Sequence, residues 1–457
     1  MDVVILSRIQ FAMTSMFHYI YPPLSIGLGL YLVIIEGVYL KTKNPRYLEM
    51  AKFWAKVFAL TFALGVATGL VQVMGFGTNW ASYSKFVGDV FGSALGAEGI
   101  FAFFLEAGFL GIMLFGWNRV SKKVHYFSTI CVCLGAHFSA IWIVIANSWM
   151  QTPAAYKLVG SGSKMKAEVT DFWQMVFNPS FLDRITHVIL GCWLAGLFLV
   201  ISISSYYYLK KRHLEFARTS MKVALSMACV VLVLQLISAD STARGVSKNQ
   251  PSKLAAMEGV YKTEKRTPMT LVGWVDQKTN TVKGIKIPGL LSLLVYRSLD
   301  KAVTGFDQIP EDERPPIQPV FQAYHMMIYM WSAMVLGAFV ALYLLWKKKL
   351  ENSKWVLRFL VISVAFPQTA NMCGWMTAEI GRQPWIVWKL LRTTHGISPG
   401  IVSGQVLGSL IMLASIYCVL LATFLFILDQ KIKHGPEEKG PDSTPVYKDP
   451  YKGGDKS

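Results

Sequence analysis

Charge is scarce in this sequence: Asp, Glu, Lys and Arg make up only 16% of its 457 residues, against 53% hydrophobic residues. So little polar surface cannot clothe the apolar side chains in water, which excludes an ordinary soluble globular domain. Cysteine is scarce too. The six, Cys131, Cys133, Cys192, Cys229, Cys373 and Cys418, fall within or beside apolar runs without a metal-ligand spacing, and core packing is their expected role. The sequence shows no phosphate-binding glycine loop, no serine or cysteine nucleophile constellation and no internal repeat, which sets aside nucleotide folds, covalent hydrolases and repeat arrays.

What the chain has instead is long apolar runs. About nine lie near 13–40, 54–76, 94–117, 124–149, 184–208, 217–238, 321–346, 356–379 and 403–429, each flanked by charge or by Trp and Tyr. A helix needs roughly 20 residues to cross the ~30 Å hydrocarbon core, and each run is long enough. The expected fold is an all-α integral membrane protein of about nine transmembrane helices with one long extracytoplasmic loop. The first run does not read as a cleaved signal peptide, because Pro22 and Pro23 interrupt it and no small-residue cleavage site precedes the basic stretch after it.

The net charge of +18 could point to nucleic acid, but the basic residues occupy alternate connections rather than one face or one tail. The connections around 41–56, 119–123, 210–222 and 347–358, with Lys431 and Lys433, hold 20 Lys and Arg, against nine in the N-terminus and the short opposite connections. The positive-inside rule therefore puts the N-terminus outside and the C-terminus in the cytoplasm, and no nucleic acid is expected. Residues 239–320, polar and far longer than an ordinary connection, then lie outside between helices one to six (1–238) and seven to nine (321–434). The tail, 435–457, is rich in Pro, Gly, Lys and Asp and reads as disordered.

Polar side chains inside hydrocarbon cost several kcal/mol unless they face a partner, a cofactor or water, so each is a functional candidate. His18 falls near the outer end of helix one, His187 near the outer start of helix five, Met326 and Met327 near the outer start of helix seven, and Glu379 at the outer end of helix eight. Four possible iron ligands thus share one depth. Each has a plainer alternative: His18 and His187 as hydrogen-bonded or interfacial histidines, Met327 as one gap-filling methionine among 20, and Glu379 as the partner of Arg382. Pro22 removes the helical hydrogen bond to the carbonyl of residue 18, so His18 sits where the helix is locally opened. Glu98 and Glu106, two turns or roughly 12 Å apart on helix three, suggest a proton relay, or else are structural glutamates.

The run Phe76-Gly-Thr-Asn-Trp-Ala-Ser-Tyr-Ser-Lys-Phe-Val-Gly-Asp-Val-Phe-Gly, then Ala97-Glu98-Gly99, together with Gly381-Arg382-Gln383-Pro384-Trp385, resembles subunit I of the cytochrome bd quinol oxidases. The resemblance starts at Ser7-Arg8-Ile9-Gln10-Phe11 and covers nearly everything except the tail. It implies a haem-bearing subunit of a terminal oxidase that oxidises quinol at the outer face and reduces dioxygen to water without pumping. It implies two haem b, one low-spin and one high-spin, and one haem d, or a haem b in its place. His187 and Met327 would hold the low-spin haem, a ligand pair that raises haem potential. His18 and Glu379 would each hold one of the others, in an order left open. Arg8, Trp375 and Arg382 would line the cofactors, Glu106 and Glu98 would pass protons, and Lys253 and Glu258, in Lys253-Leu-Ala-Ala-Met-Glu258, would bind quinol. A second multi-helix subunit, a small single-helix one and a prokaryotic plasma membrane are implied as well.

The sequence departs from that pattern at His325, two before Met327, where arginine is expected; His325 could replace a propionate contact, perturb the potential or compete as a ligand. The outer loop is of the short type. Two other classes stay open: a haem b protein that relays electrons without reducing oxygen, and a proton-coupled transporter, which would favour internal repeats and helices broken near the midplane.

Overall fold

The computed structural model describes residues 2–98 and 104–436 of the chain. The expected disordered tail, from 437 onward, and Gly99 lie outside the described residues. Among those described, eight helical stretches are long and apolar enough to cross a membrane. The first is divided, as the proline pair requires: α1 (Val3–His18) ends in a turn, and α2 (Tyr21–Thr42) starts with proline in its first turn, where the missing N–H costs nothing. The next is α3 (Pro45–Thr78). Two short helices, α4 (Ala81–Phe86) and α5 (Gly88–Ala97), lead to α6 (Phe104–Phe115). These last two carry the described parts of the expected third membrane helix, and its middle lies outside the described residues.

The chain continues through α7 (Lys122–Gln151), the hairpin β1 (Tyr156–Val159) and β2 (Lys166–Val169), the short α8 (Phe172–Val176) and then α9 (Phe181–Lys210). Next, α10 (Leu214–Asn249) runs past the expected membrane edge at 238. The long segment between the sixth and seventh expected spans is folded rather than loose: α11 (Pro251–Glu258), the antiparallel pair β3 (Met269–Asp276) and β4 (Thr281–Ile287), and α12 (Leu290–Tyr296). Leu254, Met257, Leu291, Val303 and Phe306 give this segment its own small core. The chain re-enters the helical body as α13 (Ile317–Trp346) and then α14 (Lys354–Ile362) and α15 (Ala365–Ile380), which together make one further span. A two-stranded turn, β5 (Trp385–Val387) with β6 (Leu391–Arg392), leads to α16 (Ser403–His434).

The helix at the centre is α9, buried along most of its length against α2, α10 and α14. It meets α2 at a pair of glycines: a Cβ on Gly27 would lie 2.7 Å from the Gly196 nitrogen and 2.8 Å from its Cα. Small residues let two backbones approach this closely, which is how membrane helices gain packing energy where lipid removes the hydrophobic drive. By contrast, α16 is exposed along nearly all of its length. Cys418 lies on that exposed surface, so core packing fails for this cysteine, while Cys131, Cys133, Cys192 and Cys229 are buried as expected and Cys373 is half-buried.

Candidate functional site

His18 is the last residue of α1, and the turn after it frees the ring from the helix body. Its Nδ1 lies 2.9 Å from the Thr68 hydroxyl oxygen on α3. That hydroxyl donates to the Leu64 carbonyl at 2.7 Å, so toward His18 it acts as an acceptor. The geometry selects the tautomer with the proton on Nδ1 and leaves Nε2 as the lone-pair nitrogen, the arrangement second-sphere partners impose on metal-binding histidines. Gly69 gives the ring its space: a Cβ there would stand 3.2 Å from the His18 Cε1.

His187 lies in the second turn of α9, with the Gln235 amide nitrogen of α10 at 3.1 Å from Nδ1 and 3.2 Å from Nε2. An amide equidistant from both ring nitrogens commits neither to a firm hydrogen bond. Met327 approaches the same level from α13. One turn after His187, Gly191 abuts Asn371 of α15; three residues after Asn371, a Cβ on Gly374 would stand 3.1 Å from the Met327 sulfur. Gly374 therefore opens the space on the Met327 side of α15, level with His187. Trp375 packs on Phe11 of α1, ring centroids 6.3 Å apart, and Arg8 lies one turn before Phe11, exposed.

Glu379, on the last turn of α15, is the centre of a buried polar cluster. It pairs with Arg382 and accepts from Asn147 at 3.0 Å and Gln151 at 3.3 Å, both on the last turns of α7. Arg184 of α9 donates to the Asn147 oxygen. Gln151 also accepts from the Lys253 ammonium at 2.5 Å, which brings α11 into the same cluster. Burial, with Arg184 and Arg382 adding to it and Glu379 opposing, pushes the Lys253 amine well below its ordinary pKa. Two guanidinium nitrogens, Arg184 Nε and Arg382 Nη1, are buried without a hydrogen-bond partner. Orphaned donors of this kind beside an excess of cationic groups fit an anionic group such as a haem propionate.

At the other end of α11 the Glu258 carboxyl is only 3% exposed, with no well-formed hydrogen bond to either oxygen; the Tyr324 hydroxyl and the Thr270 backbone are the polar groups beside it. Burial raises its pKa to about 7. Lys253 and Glu258 thus face different neighbours, one the Glu379 cluster and the other α13 and β3. His325 is buried next to Tyr324, with Nδ1 at 2.8 Å from the Phe321 carbonyl and Nε2 at 2.8 Å from the Thr270 carbonyl. Both nitrogens are turned to backbone carbonyls of α13 and β3, and neither is turned to Met327.

Glu106 is buried on α6, and Glu98, with which it interacts electrostatically, accepts a 2.6 Å hydrogen bond from Ser139 of α7. Sequence reasoning missed Asn147, Gln151 and Gly374. The first two were visible as amides four residues apart at the end of an apolar run; a glycine within an apolar helix carries no signal of its own.

These features define a multi-pass helical membrane protein with a buried polar cluster where α7, α9, α11 and α15 meet. The family model described as cytochrome bd terminal oxidase subunit I matches residues 6–436. The chain is 37% identical to cytochrome bd ubiquinol oxidase subunit 1 of Bacillus subtilis (strain 168), over 99% of this chain and 98% of that protein. It is 32% identical to cytochrome bd-II ubiquinol oxidase subunit 1 of Escherichia coli (strain K12), over 95% and 97%. The solved bd oxidase from Geobacillus thermodenitrificans superposes with a TM-score of 0.89 at 29% identity, over 95% of this chain and 99% of that one. The chain belongs to the cytochrome bd terminal oxidase subunit I family.

Proposed function

We propose that this subunit oxidises a membrane quinol at the outer face of a prokaryotic plasma membrane and, with a second multi-helix subunit, reduces dioxygen to water. Two quinols release four electrons and four protons outside; one dioxygen takes up four electrons and four cytoplasmic protons to give two waters. Charge is separated without a pump. The orientation is N-terminus outside, from the distribution of Lys and Arg.

The observation that carries this reading is the Glu379 cluster, in which two buried guanidinium groups keep donors without a hydrogen-bond partner. His187 and Met327 would hold a low-spin haem b, and His18 and Glu379 the high-spin haem b and the haem d, or a haem b in its place. Bound haem supplies the one-electron chemistry and the oxygen-binding position. Arg184 and Arg382 bind propionates, with Trp375 and Arg8 alongside. Glu258 accepts a quinol proton, and Lys253 holds the head group while reporting to the Glu379 cluster through Gln151. Glu106 and Glu98 hold and pass protons inward of the oxygen site. A small single-helix subunit completes the complex. The deciding experiment is an absorbance spectrum of the purified complex, reduced and then exposed to carbon monoxide, together with quinol-dependent oxygen uptake. Haem signals without carbon monoxide binding or oxygen uptake would leave only an electron-relay protein.

A further inference from the structure

A cytoplasmic proton has to reach Glu106 before it can pass to the proposed oxygen site. On the side of the molecule assigned to the cytoplasm, Glu36 near the end of α2 and His125 at the start of α7 are both 3% exposed and bonded to each other, Oε1 to Nδ1, at 2.6 Å. The other Glu36 oxygen accepts from the Thr129 hydroxyl at 2.6 Å, and His125 Nε2 lies 3.1 Å from the Met113 carbonyl on α6. Met113 is seven residues beyond Glu106 on that helix, about 10 Å along its axis.

The pair satisfies its hydrogen bonds in two protonation arrangements. With the proton on Nδ1, an imidazolium donates to a carboxylate and, through Nε2, to the Met113 carbonyl. With the proton moved to Glu36, the carboxylic acid donates to Nδ1 and Nε2–H keeps its carbonyl. The shift takes place along one short hydrogen bond with no side chain moving, and the pair is neutral as a whole in both forms, which is what burial demands. Removing a proton from the pair breaks this balance, because Nε2 or Nδ1 then presents a lone pair to an oxygen. The half-buried Trp117 indole lies over His125, ring centroids 3.9 Å apart, at the connection between α6 and α7. Among the described residues, the charged and titratable groups on the elements packed here include Lys52 of α3, 5.8 Å from the Trp117 ring, Lys122 of α7, 5.1 Å from the ring of Tyr39 on α2, and the Tyr126 hydroxyl, which abuts Gly37.

We propose that Glu36 and His125 form a proton-holding pair at the cytoplasmic mouth of the route to Glu106, capped by Trp117. A proton from the cytoplasm reaches the pair beside Trp117 as another leaves it, handed to an intervening water that passes one of its own protons on toward Glu106; the pair so returns to its neutral form and neither residue is consumed. The inference rests on the orientation and reaction proposed above.

The test uses the complete oxidase in proteoliposomes, with haem content read by absorbance, oxygen uptake by electrode, and pH set separately on the two sides. Absence of oxygen uptake in the wild type would sink the reaction itself rather than this pair. Glu36→Gln is expected to keep its haems and its KM for quinol, to lose kcat about tenfold, and to stop responding to cytoplasmic pH. A purely structural pair would show the reverse: lower haem content with an unchanged pH response. Thr129→Val, which removes a hydrogen bond but no titratable group, is expected to lower kcat about threefold and decides the matter where Glu36→Gln does not assemble. Wild-type kcat and wild-type response to cytoplasmic pH in the variant that assembles with full haem overturn the proposal.

Discussion

An imidazole binds iron only through a lone pair that is not already spent on a neighbour. Thr68 leaves that lone pair on His18 Nε2, Gln235 leaves His187 uncommitted, and both nitrogens of His325 are turned to backbone carbonyls. His187→Ala is accordingly expected to remove the low-spin haem signal while carbon monoxide binding at the other haems survives in part; reduced-minus-oxidised spectra decide it, and an unchanged low-spin band refutes the assignment. Gly374→Leu should weaken the same band by crowding the Met327 sulfur, leaving the other haem bands in place. Glu258 supplies a pH signature. Burial raises its pKa to about 7, so the ionised form that accepts a proton gains population as pH rises through that value. Quinol kcat/KM should rise across the same window, and Glu258→Gln should lose both the rise and about 10²-fold in turnover, yet still oxidise chemically pre-reduced haems. Normal quinol turnover in that variant places the quinol site elsewhere. His18, Glu379 and Lys253 were legible in the sequence because each costs free energy in an apolar setting or matches a family segment. Gln151, which joins Lys253 to Glu379, was not, since only the fold brings the end of α7 against α11 and α15.

At the scale of elements, apolar runs and the proline pair gave the spans and the break between α1 and α2, because helix length and the missing proline N–H act locally. The outer segment was harder. Met269–Asp276 and Thr281–Ile287 form a hairpin, and its alternation was present in the sequence but diluted by Lys, Gly and Thr on the exposed face. α10 runs to Asn249 because its last turns carry polar residues that suit a helix extending beyond an apolar run, so hydropathy marks the end of that run and not the helix end. The contact of α2 with α9 yields a stability prediction. Gly27→Val would drive a branched side chain into the Gly196 backbone, which cannot yield as a flexible side chain would. A cost of about 1–3 kcal/mol or more is expected, read as a lower midpoint of thermal unfolding in detergent. An unchanged midpoint would mean that the helices can part there freely.

For the whole molecule, the contrast between buried α9 and exposed α16 shows a bundle finished on one side only, in keeping with a subunit that works against a partner and lipid. The Glu379 cluster and the buried Glu36–His125 pair lie at opposite ends of the helices, so under the proposed function a proton consumed at the oxygen site crosses most of the hydrocarbon. Glu106 is a buried carboxyl between them, and the several kcal/mol that its ionisation would cost there is the ground for the proposed proton-carrying role. Glu106→Gln keeps its size and hydrogen-bonding capacity and removes only the titratable proton. The variant should bind dioxygen normally, stall where proton uptake accompanies oxygen reduction, and lose the associated voltage step, with turnover down about 10²-fold. Time-resolved haem absorbance and membrane potential, recorded after mixing fully reduced enzyme with oxygen, measure this directly. If Glu106 only packs the helices, turnover follows haem content and the voltage step persists. Proton uptake at the wild-type rate with full haem occupancy would therefore remove Glu106 from the route and leave the Glu36–His125 pair without an onward acceptor on α6.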